Sequence, residues 1–132
     1  MRRFGPPPTA DELEQLARRV MECLPAPFAE HVRTVVLMVE EFADEATLRD
    51  LGLEDPFELT GLYVGHPLTE KSIGDSGTLP DKVILYRRPI IDEWVTDGEE
   101  LEHLVSHVLI HELGHHFGFS DGDMHLLEDQ VR

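Results

Sequence analysis

Apolar side chains recur at helical spacing in "TADELEQLARRVMECL", where Leu13, Leu16, Val20 and Leu24 fall on one face. Thr9 and Glu12 stand in a capping-box pattern ahead of that stripe, and "PAP" ends the helix. The preceding "MRRFGPPP", residues 1–8, reads as a flexible, polyproline-like tail. "PFAEHV" predicts one further turn with Pro27 as its first residue. "RTVVLMVE" is apolar and rich in β-branched residues, which predicts a buried strand. "DEATLRDLG" predicts a short helix stopped by Gly52. "LTGLYVGHP" is a second strand closed by Pro67, and "LTEKSIGDSGTLP" is a polar, glycine-rich loop. "DKVILYRR" is a third strand, stopped by Pro89. "PIIDEWV" has room for a helical turn or two.

The longest periodic segment is "DGEELEHLVSHVLIHELGHHFG", which a second capping box, Thr96 with Glu99, is expected to open. It begins amphipathic and becomes apolar almost all round by Val108–Ile110, so its later half should be buried. Gly118 is placed to end it, and "SDGDMHLLEDQVR" predicts a short C-terminal helix. The expected class is α+β: a small mixed sheet with helices packed on it, in one domain over residues 9–132.

Charge narrows the partners. The chain carries 27 acidic against 11 basic side chains, a formal net charge of −16. Such a surface repels phosphate backbones and anionic lipid, and no basic run exceeds Arg87–Arg88, so neither nucleic acid nor a membrane is an expected partner. The one cysteine, Cys23, excludes an intrachain disulfide and is expected to be a buried thiol. No apolar run follows the N-terminal arginines, so no signal peptide or membrane span is expected, and the cytoplasm is the simplest location. Oligomeric state is left open, a monomer being compatible with everything above.

The chemistry concentrates in "HELGHHFGFSD", His111 to Asp121. His111 and His115 are four residues apart, so one helical turn stacks two imidazoles on one face, where they can converge on one ion. Glu112 is rotated about 100° from His111. It misses the ion itself but reaches a water beside it, where a carboxylate can take a proton. A catalytic zinc site needs a third protein ligand and one open position. Gly118 can turn the chain sharply, and Asp121, three residues on, can then swing back to the ion. The candidate metal ligands are therefore His111, His115 and Asp121, and the candidate general base is Glu112.

Other residues invite both sharper and plainer readings. His107, one turn before His111, is a substitute ligand or a polar neighbour of the ligands. His103 continues the same spacing along a polar face. His116 reads as a packing or rim residue, His125 as a surface group on the last helix, and His66 as a loop residue. Tyr63 and Tyr86 are core aromatics by default, although either hydroxyl could stabilise an oxyanion. Trp94 and Phe117 read as core.

"HELGHHFGFSD" matches HExxHxxGxxD, the signature of the metzincin branch of zincin metallopeptidases with aspartate as third ligand. The wider pattern "GLYVGHPLTE…LPDKVILYRRPI…HVLIHELGHHFGFSD" resembles the minimal zincins, small bacterial zincin-like metallopeptidases, from about Leu24 to Leu127. The resemblance implies a zinc metalloendopeptidase with His111, His115 and Asp121 on Zn2+ and Glu112 as base. It also implies a mixed sheet above a cleft floored by the active-site helix, with an edge strand, either "LTGLYVG" or "DKVILYRR", aligning the substrate. Larger metzincins carry a methionine turn well after the third ligand, whereas Met124 follows Asp121 by three residues. The pocket beyond the scissile bond should then be shallow, and short or unfolded peptides are the expected substrates. Two other functions compete. A metal-dependent ribonuclease is opposed by Glu112 and by the negative charge, and a non-catalytic, metal-stabilised binding module has no use for a base at Glu112.

Overall fold

The computed structural model describes residues 5–25, 28–65 and 80–117, together with Gly122, Met124, Leu126 and Glu128. Pro27, the predicted loop with His66 and Pro67, Gly118, Asp121 and His125 lie outside the described residues, as does the side chain of Phe117.

Helix α1 spans Ala10–Glu22 and buries Leu13, Leu16, Ala17 and Val20. Its start is fixed as the sequence predicts, by the Thr9 hydroxyl accepting from the Glu12 N–H at 3.1 Å. Cys23 caps the other end and is exposed, not buried, because the helix stops there and its side chain stays outside the core. After the short helix α2, Phe28–Val32, the chain enters β1, Val36–Glu40. Helix α3, Glu45–Asp50, is capped by Asp44, whose carboxylate accepts from the Thr47 N–H at 2.7 Å. Gly52 follows with φ +72°, a left-handed turn that stops this helix at low steric cost. A 3-10 turn at Pro56–Glu58 leads to β2, Gly61–Val64, and the later strand is β3, Lys82–Tyr86.

The sheet order is β1-β3-β2. β1 runs parallel to β3, from Val36 opposite Lys82 to Glu40 opposite Tyr86. β2 runs antiparallel to β3, from Gly61 opposite Leu85 to Val64 opposite Lys82. Alternation along the strands divides the side chains between two faces. Leu37, Val83, Leu85 and Tyr63 join the main core with α1 and the long C-terminal helix. Ile84 and Tyr86 join a smaller cluster with Ala43, Leu48, Leu62 and Val64. β1 is less buried than its apolar sequence predicts: Val36 and Met38 are 42% and 36% exposed. It lies at an edge of the described sheet, and only its alternate residues turn inward against α1.

β3 passes without a loop into helix α4, Arg87–Asp97. This helix is longer than the turn or two expected, because Pro89 sits in its first turn, where a missing N–H breaks no helical bond. The Arg87 guanidinium ties the junction down, donating to the Pro8 carbonyl at 2.8 Å and to Glu41 at 2.9 Å. Ile90 and Trp94 carry α4 into the main core. Gly98, at φ +69°, closes α4 by donating its N–H to the Trp94 carbonyl. Thr96 therefore lies inside α4 and does not open the next helix: the left-handed glycine overrides the capping-box pattern. Helix α5 runs Leu101–Phe117, and Leu104, Val105, Val108, Leu109, Ile110 and Leu113 are buried on it, as its apolar run predicts. Among the described residues no helix is long and apolar enough to cross a membrane.

β2 lies directly on α5 because Gly61 has no side chain. A Cβ there would stand 2.8 Å from Val108 Cγ1 and 3.3 Å from Glu112 Cγ. Gly61→Ala is expected to destabilise the fold by about 1–3 kcal/mol through overpacking. Shortening the opposing side chain with Val108→Ala makes room for the new methyl group. The two substitutions should then couple favourably in a double-mutant cycle read by urea denaturation. Strict additivity would show that strand and helix do not meet at this point.

Candidate metal and catalytic site

Helix α5 is buried along most of its length and turns polar near its C-terminal end. There Leu109, Ile110 and Leu113 face the core, while His111 and Glu112 are half-buried and His115 and His116 exposed. The His111 and His115 rings stand one turn apart, edge to face, with centroids 6.0 Å apart. Two of the three predicted ligands thus share a helix face, and the third, Asp121, lies outside the described residues.

Glu112 points to the underside of β2. Its carboxylate accepts a hydrogen bond from the Tyr63 backbone N–H. Burial raises its pKa above the ordinary carboxylate value, while the Tyr63 N–H and nearby His115 pull in the opposite direction. The main chain of a strand and the predicted base are therefore in direct contact.

Next to them Tyr63, His116 and Asp81 form a second group. The Tyr63 ring stacks on His116, centroids 3.8 Å apart and planes 19° from parallel. The Tyr63 hydroxyl donates to Asp81 at 2.8 Å, and His116 Nε2 lies 3.6 Å from the same carboxylate oxygen. Burial, reinforced by the Asp81 charge, pushes the Tyr63 phenol well above its usual range. His116 is thus the packing residue that the sequence suggests. Tyr86 is buried in the smaller cluster, and burial together with Glu40, Asp44 and Glu112 pushes its phenol up to about 12.

One turn before His111, His107 extends the row of rings, its centroid 4.1 Å from that of His111. A carboxylate from the C-terminal segment meets both. Glu128 Oε1 is 2.6 Å from His107 Nδ1 and 3.5 Å from His111 Nε2. Glu128 is only 4% exposed, and Met124, four residues earlier, is wholly buried in the main core. Gly122, Met124, Leu126 and Glu128 are all helical, in keeping with the predicted final helix. Sequence reasoning considered His125 on this segment and missed Glu128. The available signal was its four-residue spacing from Met124, which places both on one helix face.

Zinc takes imidazole nitrogen and carboxylate oxygen. The histidine pair of α5, His111 and His115, offers the first. The group His107, His111 and Glu128 offers both, with ligand atoms all within 4.8 Å of one another. His111 is common to the two sets.

Residues 32–131, from the last residue of α2 onward, match the family model for the zincin-like metallopeptidases. Comparison with curated proteins finds no match. Zinc is the metal this family implies, and the chemistry of the donors on α5 fits it. The matched span covers most of the chain, including the sheet, α5 and the histidine-rich end of that helix: the protein belongs to the zincin-like metallopeptidase family.

Proposed function

We propose that the protein is a zinc-dependent endopeptidase acting on short or unfolded peptides, with His111, His115 and Asp121 holding the ion and Glu112 acting as general base. The observation that carries this reading is the position of Glu112. It stands between the two histidines in sequence and is half-buried beneath β2, where its carboxylate meets the Tyr63 N–H. A structural metal site has no need of a carboxylate poised in that way.

Bound zinc would supply Lewis-acid activation of a water and of the peptide carbonyl. The chain's own residues do the rest. Glu112 takes the proton of the attacking water and returns it to the leaving amine. Its partial burial favours that work, since a carboxylate with a raised pKa is a better proton acceptor. β2 aligns the substrate by main-chain pairing. Of the two strands suited to this by sequence, β3 is flanked on both sides, whereas β2 lies at an edge of the described sheet. A peptide added there lies over α5, because Gly61 brings strand and helix together at Glu112. Extended main chain is what such an edge recognises, and this favours unfolded peptides over folded proteins.

Two substitutions test the roles. Glu112→Gln keeps nearly the same shape but cannot accept the proton. It is expected to retain fold and zinc while hydrolysis of a quenched fluorescent peptide falls by about 10² or more at matched zinc occupancy. Equal rates for the two proteins would remove this mechanism.

At the third ligand, Asp121→His is expected to keep hydrolysis and Asp121→Ala to lose it, because either of the first two side chains presents a ligand atom from the same backbone position. Peptide hydrolysis read alongside zinc content separates the cases. Activity unchanged in both variants would exclude Asp121 from the centre.

A further inference from the structure

We infer that His107, His111 and Glu128 form a second divalent-cation position, one helical turn from the proposed catalytic centre and in competition with it for His111. The inference rests on the proposed function only in that shared histidine.

Three observations support it. The ligand atoms already converge: two imidazole nitrogens and one carboxylate oxygen lie within 4.8 Å of one another. Zinc bonds to nitrogen and oxygen of about 2.0–2.2 Å put neighbouring ligand atoms roughly 3.4 Å apart in a tetrahedral site. The 3.5 Å separation of His111 Nε2 and Glu128 Oε1 already matches this. The 2.6 Å contact between His107 Nδ1 and Glu128 is a hydrogen bond and must open by about 1 Å or slightly less to admit an ion.

Glu128 is also where a bound cation compensates most. Its side chain is 5% exposed, and it faces two imidazoles across the seam between α5 and the C-terminal segment. A buried carboxylate is held most favourably by full positive charge, which a divalent ion supplies. Access exists as well, since the His107 side chain is half exposed and opens the group to solvent.

Sharing His111 makes the two positions exclusive. One imidazole nitrogen directs its lone pair at one ion. An ion held by His107 and Glu128 draws His111 Nε2 away from His115, to a place one turn back along the helix, about 6 Å for four residues. Excess zinc therefore withdraws a ligand from the proposed centre.

The test uses zinc and cobalt ions alone on the full chain. His115→Ala removes the proposed centre and leaves the second position intact. It is expected to bind one equivalent of Zn2+ by elemental analysis after dialysis, to give the visible absorption of a nitrogen- and oxygen-ligated Co2+, and to gain thermal stability on adding zinc. Adding Glu128→Gln or His107→Ala to that chain should weaken binding by at least the ~10–100-fold that loss of a metal site's supporting partner causes. Asp121→Asn replaces His115→Ala if the latter does not fold by circular dichroism. A folded His115→Ala or Asp121→Asn chain that binds no zinc overturns the proposal. So does one whose affinity is unchanged by Glu128→Gln. Neither result touches the catalytic reading, which is judged by Glu112→Gln in a chain with His115 and Asp121 intact.

Discussion

Everything at the site depends on a helix whose apolar side chains are buried from Leu101 to Leu113 and whose C-terminal end carries a cluster of polar groups. Helix α5 packs against the sheet and α1, while Met124 of the C-terminal segment joins the same core. A helix held that way cannot roll or slide without opening the core. Its last turns therefore present His111, Glu112 and His115 in a fixed order at a fixed height below β2. Placing polar groups at the end of an apolar rod is a direct way to hold them rigid while leaving them wet.

The second constraint is the approach of β2. With glycine at position 61 the strand lies against Val108 and Glu112, and this contact brings the Tyr63 N–H to the Glu112 carboxylate. The backbone of the strand and the side chains of the helix then form one surface. In the proposed reaction that surface has two functions: β2 holds the peptide, and Glu112 moves the proton. A bulkier residue at position 61 would separate them.

Much of this was legible in the sequence. The caps at Thr9 and Gly52, the three strands and the burial of α5 follow from local chemistry, and local chemistry decides them. Sequence and structure differ where a tertiary neighbour or a stronger local signal decides. The Thr96–Glu99 pattern predicts a helix start, but Gly98, two residues after Thr96, takes a left-handed conformation that ends the preceding helix. The apolar residues of β1 predict burial, but strand order sets burial, and that order depends on pairings the one-dimensional pattern does not contain. Within the site, His111, Glu112 and His115 were visible because their spacing is a property of one helix. Glu128 was invisible because its partner, His107, is 21 residues away and they meet only when the C-terminal segment docks.

The stack of Tyr63 on His116 gives the molecule an internal optical and magnetic gauge. One ring belongs to β2 and the other to the end of α5, and their planes are nearly parallel at 3.8 Å. An aromatic face at that distance shields the protons of the ring beside it. The chemical shift of the His116 ring protons is thus a ruler for the gap between strand and helix. If a peptide pairs with β2 as proposed and lifts or tilts the strand by a fraction of an ångström, that shift changes, so occupancy of the strand edge can be followed from within the protein, with no label attached to either partner.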